Sequence, residues 1–176
     1  ISVSAFLLNR SSDLEIVQLY AVGVKRTTLR SLPTDKVFGY DSPYDTDDEA
    51  ALSSLDVNEP FVIRAKCVYE GETYYWGFTN NLSGWVNGKY LAIFDSKEEW
   101  LEAWQVSLDG TDFIVVIENS ISLEPTETTE DVELKLGTVL KLVSEEDMPD
   151  FVEDRDITNN YVVYLPTRDQ DGGYVK

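Results

Sequence analysis

The chain has 176 residues, 43% of them hydrophobic and 12% aromatic, enough for one medium domain or two small ones with a buried core. Its formal net charge is −19, with 14 Lys and Arg against 33 Asp and Glu, and such a field repels nucleic acid and anionic membrane surfaces. Residues 1–94 carry 8 bases and 12 acids and residues 95–176 carry 6 and 21, so the acid gathers in the second half, where solubility is its simplest role.

From the N-terminus, residues 1–9 alternate weakly through Val3, Ala5 and Leu7, and Ser11-Ser12-Asp13 reads as a loop or a helix cap. Residues 14–20 are apolar without a period that separates helix from strand. Residues 24–32 alternate as a strand that Pro33 stops, because proline has no donor for a ladder. Residues 35–58 form a long acidic loop containing Tyr40, Pro43 and Tyr44, with a short helical turn expected over 48–55. Loops of this length in compact domains usually serve a function.

Residues 61–68 alternate again, placing Phe61, Ile63, Ala65 and Cys67 on one face and Val62, Arg64 and Lys66 on the other. Cys67 is therefore expected in the core beside Ile63, as a small buried hydrophobe. A nucleophilic cysteine needs a base, and the chain has no histidine. The stretch 69–94 is a meander of short strands and the organising centre of the chain. Glu70-Gly71 makes one tight turn, Asn80-Asn81 begins a second, and Gly84 closes it. Between the turns Tyr74, Trp76 and Phe78 alternate with Tyr75 and Gly77, Trp85-Val86 restarts the extended pattern, and residues 91–94 end it. One strand, a long loop, three short strands and a final strand is the layout of a small SH3-like barrel.

Residues 96–104 (SKEEWLEAW) carry the clearest helical signal. Ser96 and Glu99 match a capping box, and Trp100, Leu101 and Trp104 form an apolar stripe suited to packing on the sheet. Residues 113–117 read as a buried strand, 119–131 as a Ser/Thr/Glu-rich connector, and 132–143 as a strand pair turning at Gly137. An acidic loop spans 144–156. Residues 161–165 read as a strand ended by Pro166, and Asp171-Gly172-Gly173 as a turn before Tyr174. An EF-hand beginning at Asp147 fails, because its third, sixth and twelfth positions are Pro149, Val152 and Thr158. No metal site or cofactor is expected. A single cysteine excludes an internal disulfide, and no run has the length and apolarity of a membrane span. Ile1 in place of a start methionine, and an end just as a strand begins, read as a piece of a longer protein.

The segment VKRTTLRSLPTD, the long loop and the run from Glu59 to Phe94 together resemble the first bacterial SH3-like domain of NlpC-type cysteine peptidases. In that family an R-x-x-L-R-S-x-P-T segment precedes the loop, matched here from Arg26 through Thr34, and a G-W-V segment closes the meander, matched by Gly84, Trp85 and Val86. The Trp100 and Trp104 helix, the strand at Phe113 and the later LKLGTVLKLV and YVVYLPTRDQDG segments are similar to the family's second SH3-like domain, so the resemblance spans about residues 20–176. It implies a cell-wall lytic enzyme cutting beside D-glutamate in peptidoglycan stem peptides, whose papain-like domain with its cysteine and histidine lies outside this chain.

The expected fold is all-β: an N-terminal segment 1–20, a first SH3-like barrel 21–94, a connecting helix 95–110 and a second, incomplete SH3-like domain 111–176. The expected function is a non-catalytic module that binds peptidoglycan stem peptides or shapes the substrate groove of a murein endopeptidase, in the cell wall or outside the cell. The alternatives are a module for extended or Pro-rich peptides and a structural spacer. Tyr40, Tyr44, Tyr75 and Trp85 are the candidate ligand-binding residues, as aromatic shelves with hydroxyl or indole handles. The resemblance implies that a loop tyrosine, Tyr40 or Tyr44, helps wall the neighbouring peptidase's cleft. The expected partners are stem peptides and the downstream papain-like domain.

Overall fold

The computed structural model describes residues 14–39, 48–80, 82–105, 113–123, 131–152, 155–158 and 160–175. Tyr40 and Tyr44 lie outside these residues. The described chain is mostly β with one short α-helix. Strands β1 (Glu15–Gly23), β2 (Thr27–Arg30), β3 (Ala51–Leu55), β4 (Pro60–Tyr69), β5 (Glu72–Phe78), β6 (Ser83–Asn87) and β7 (Leu91–Phe94) form one antiparallel sheet in the order β3-β2-β6-β5-β4-β1-β7. Its edge strands β3 and β7 do not pair with each other among the described residues, so the sheet is open rather than closed into the expected barrel.

Residues 14–20, ambiguous by period, enter β1, which runs between β4 and β7. The strand expected over 24–32 is interrupted, since β1 ends at Gly23 and β2 begins at Thr27. The helical turn expected over 48–55 is a turn at 49–50 followed by β3. Between β4 and β5 the two-residue turn has positive φ at both Glu70 (52°) and Gly71 (86°), the requirement of a type I′ hairpin. Phe61 and Ile63 are fully buried with Ala21, Leu29, Leu55, Val86 and Leu91 in the main core. Gly77 lies opposite Ile63, and a Cβ there would stand 2.9 Å from the Phe61 ring and 2.3 Å from the Val62 carbonyl, so glycine is required for the strands to close over the ring.

A bulge alters which side chains reach the core. The β4–β5 register shifts between Ile63 and Ala65, so Ala65 opposes Trp76 and Cys67 opposes Tyr74, on the sheet face away from Ile63. Cys67 is therefore a half-buried thiol on the outer face and not a core neighbour of Ile63. Strict alternation misplaces it because one extra residue reverses every later side chain.

The long loop is pinned at its base by Arg30, whose side chain is 7% exposed. Its guanidinium meets the Asp48 carboxylate at 2.6 Å and donates to the Lys36 carbonyl. Asp48 also accepts from the amides of Phe38 (3.0 Å) and Ala50 (3.2 Å), and Glu49 donates its amide to the Phe38 carbonyl at 2.6 Å. Burial pushes the Asp48 carboxyl up, but those two amides and the guanidinium outweigh it and hold the group below its ordinary value.

Helix α1 (Lys97–Trp104) begins as expected, with the Ser96 hydroxyl accepting from the Glu99 amide at 3.2 Å. Trp100 is 6% exposed, packs against Tyr20 at 5.1 Å and donates its indole N–H to the Ala21 carbonyl at 2.8 Å, tying the helix to β1. Beyond it lie short strands: β8 (Phe113–Val115), β9 (Ser120–Leu123), β10 (Val132–Lys135), β11 (Val139–Lys141), β12 (Phe151–Val152), β13 (Arg155–Asp156), β14 (Thr167–Arg168) and β15 (Tyr174–Val175). The expected connector contains β9, which pairs with β10, and β11 pairs with β8. The chain does turn at Gly137, but β10 and β11 are not each other's partners. The strand expected over 161–165 reduces to a bridge between Leu142 and Val163, and the turn at 171–173 joins β14 to β15 as expected.

Among the described residues, the second lobe is joined to the first at three places. Val57, from the turn between β3 and β4, is buried with Val116, Leu134 and Leu140, while Asn58 donates to the Val139 carbonyl at 2.9 Å. Lys141 donates to the Glu102 carbonyl at the end of α1. Ile93 donates to the Gly172 carbonyl at 2.9 Å, and Phe94 stacks on Tyr174 with centroids 4.2 Å apart.

Two predictions follow the packing. Trp100→Ala removes a buried ring and its hydrogen bond and will lower stability by about 3–5 kcal/mol, whereas the half-buried Trp104→Ala will cost less, both read by denaturant unfolding. Arg30→Met leaves the partly buried Asp48 without its countercharge and will cost about 1–3 kcal/mol. Because the folded pKa of Asp48 is depressed, its contribution is full above the unfolded value of about 4 and is lost as pH falls through the folded value. Unfolding curves of Asp48→Asn and the unmodified chain will therefore differ at neutral pH and converge in acid.

Candidate functional site: the outer face of the sheet

Pairing across five strands lines up one row of side chains on the outer face. Ile16 opposes Ala65, Ala65 opposes Trp76, Trp76 opposes Trp85, and Trp85 opposes Arg30. Such rows are the unit of packing on a sheet surface. Here a small residue, Ala65, sits between Ile16 and Trp76, in an open, shallow cleft of about 650 Å³. Leu14, Ile16, Trp76 and Trp85 are its large apolar lining residues, and Gln18 and Arg64 line it as well. Trp76 is braced edge-on by Phe78 at 4.9 Å, two residues along the same face. Ile16 is 78% exposed, an apolar side chain left in water beside an apolar hollow.

The other end of this face is polar. Tyr74 opposes Asn87, and its hydroxyl accepts from the Asp35 amide at 3.2 Å. The Asp35 carboxylate takes hydrogen bonds from Asn87 and Lys89, both at 2.9 Å. Burial, and then the Asp35 charge, pushes the Tyr74 phenol up. The Asp35 carboxylate in turn holds the Lys89 ammonium above its usual range. Lys36 pairs with Glu70 at 2.6 Å on the adjoining surface. This node, with the Arg30–Asp48 pair, holds both ends of the long loop against the sheet.

The expected site residues divide. Trp85 is 8% exposed and forms part of the cleft wall. Tyr75 opposes Lys66 and Val86, packs half-buried on the main core and lies against Gly88, on the face opposite Trp76. Trp85 and Tyr75 are therefore not brought together. Sequence reasoning missed Ile16, Arg64 and Trp76. Trp76 was accessible from alternation, since it shares a face with Tyr74 and Phe78, whereas Arg64 depends on the bulge. A second hollow of about 390 Å³, lined by Lys25, Arg26, Val57, Asp131, Val132 and Glu133, lies between the lobes, with Arg26 paired to Asp56 at 3.0 Å. Among the described residues no group of His, Cys, Asp and Glu is placed to hold a metal ion, and no helix is long and apolar enough to cross a membrane.

No protein-family model matches the chain, and no curated protein matches it. Among solved structures, the chain is similar to one from Photobacterium damselae subsp. piscicida described as a novel NlpC/P60 endopeptidase. The superposition has a TM-score of 0.62 at 16% sequence identity and covers 89% of this chain but 30% of that one. The chain thus spans less than a third of that protein's length and shares its fold across nearly all of its own.

Proposed function

We propose that this chain is a non-catalytic module of a murein endopeptidase, one that binds peptidoglycan stem peptides or shapes the groove that receives them. The observation that carries the reading is the fold shared over 89% of this chain with an NlpC/P60 endopeptidase of which it spans 30%. The R-x-x-L-R-S-x-P-T and G-W-V segments support the same relationship. On this reading residues 21–94 and 111–176 are two SH3-like units linked through 95–110, a papain-like domain follows in the parent protein, and the site of action is the cell wall or beyond the cell. The chemistry agrees, since a papain-like reaction needs a thiolate with a histidine base and this chain has no histidine.

A second reading, a module for extended or Pro-rich segments, draws support from the apolar cleft walled by Trp76 and Trp85. Co-sedimentation with purified peptidoglycan, set against a Pro-rich peptide array, separates the two. The wall-binding reading expects the purified chain in the pellet and no signal on the array. Capture on the array alone transfers the function to the second reading, and binding to neither leaves a structural spacer. The same preparation will release no dipeptide from wall fragments, and release that Cys67→Ser abolishes contradicts a non-catalytic role.

A further inference from the structure

We propose that the cleft between Ile16 and Trp76 receives the carboxylate-bearing end of a peptide, with an apolar side chain laid over Ala65 and the carboxylate on Arg64. Two irregularities meet at this point. The β4–β5 register skips Arg64, and the β1–β4 register shifts between Ile16 and Leu19. Bulges re-aim side chains, and these two face each other, so Gln18 and Arg64 meet in the lining of the cleft, where the guanidinium donates to the Gln18 amide oxygen at 3.0 Å. Gln18 is itself held, because its amide NH₂ donates to the Tyr20 hydroxyl at 2.8 Å and leaves its oxygen toward Arg64.

Charge decides what this arrangement selects. Arg26, Arg30, Lys36, Lys66, Lys89 and Lys135 each meet a carboxylate among the described residues. Arg64 is exposed, and its described hydrogen bond goes to a neutral amide instead. An arginine held by a neutral partner in the lining of an apolar cleft is a local receptor for an outside anion, acting against the repulsion of the chain's net charge of −19. A guanidinium fork matches a carboxylate in shape, and the apolar walls ask for an aliphatic side chain beside it. A peptide C-terminus joins both within one residue. The inference takes from the proposed function only its ligand class, a peptide, and does not need the peptide to come from the wall.

The test uses the full chain and two probes, N-acetyl-Ala-Leu as the free acid and as its C-terminal amide, with binding read by calorimetry and tryptophan fluorescence. The free acid will bind at least about tenfold more tightly than the amide, the lower end of a charge-assisted hydrogen bond. Arg64→Gln, an exposed change that keeps a donor for Gln18, will lower affinity for the acid by about the same factor and erase the difference between the probes. Arg64→Lys will retain part of it. Equal binding of acid and amide, no binding of either, or an unchanged acid affinity in Arg64→Gln overturns the inference. A ligand-free dimer that Ile16→Ser dissociates overturns it too, by assigning the cleft to a second copy. If the acid binds through Arg64 while peptidoglycan is not captured, the wall reading fails and this inference stands. If Arg64→Gln is captured by peptidoglycan as well as the unmodified chain, with no probe difference, the reverse holds.

Discussion

A buried guanidinium holds the first lobe in its shape. Taking Arg30 out of water costs several kcal/mol, and partners on its two terminal nitrogens offset that, while its Nε is buried without one. Asp48 supplies the countercharge, Lys36 supplies a carbonyl, and Asp48 is itself satisfied by the amides of Phe38 and Ala50. The result clamps both ends of a long loop to one point on β2 and seats β3 along the same strand. Lysine there would offer a point charge in place of a fork and could not reach both arms in one plane. The neighbouring residues serve the same end. Leu29 is fully buried in the core, the Ser31 amide donates to the Ala50 carbonyl at 2.8 Å, and the Thr34 hydroxyl accepts from the Lys36 amide at 3.1 Å. The most specific sequence motif in the chain is thus explained as architecture. It builds the platform from which the loop departs.

The second lobe is joined to that platform by contacts of different kinds: a side chain, Val57, in its core, a lysine on the end of α1, and a backbone and aromatic junction at β7. The β7 junction also covers a sheet edge, since the Ile93 amide is taken by Gly172 and a bridge to Gly173 continues the pairing. The uneven charge fits the same division, with the aromatic face in the nearly balanced half and the acid concentrated in residues 95–176.

Much of the first lobe was legible in the sequence because its signals are local. Glu70-Gly71 has the chemistry of a two-residue hairpin, Ser96 and Glu99 cap a helix, and the alternation of Tyr74, Trp76 and Phe78 marks a two-faced strand. What depends on partners was not legible. The bulge at Arg64 moves Cys67 across the sheet without altering its local pattern, and the break at residues 24–26 leaves the surrounding alternation intact. In the second lobe, strands of two to four residues give too few alternations to choose a partner, so β9 was hidden inside an apparent connector and β10 and β11 were expected to pair with each other. The site divided for the same reason. Trp85 reaches the cleft because it opposes Trp76, Tyr75 turns to the core because it is one residue away, and Tyr40 and Tyr44 lie outside the described residues.

On the proposed reading, the outer face running from Ile16 to Trp85 is where this chain meets a peptide. Chemical-shift mapping of the ¹⁵N-labelled chain with soluble stem peptides released from purified peptidoglycan tests it most directly. The shifts will concentrate at the Arg64 side chain, the Trp76 and Trp85 indoles and the amides of residues 16–18, with β8 to β15 unmoved. Shifts confined to the second lobe, or no shifts at peptide concentrations in excess of the chain, would contradict it.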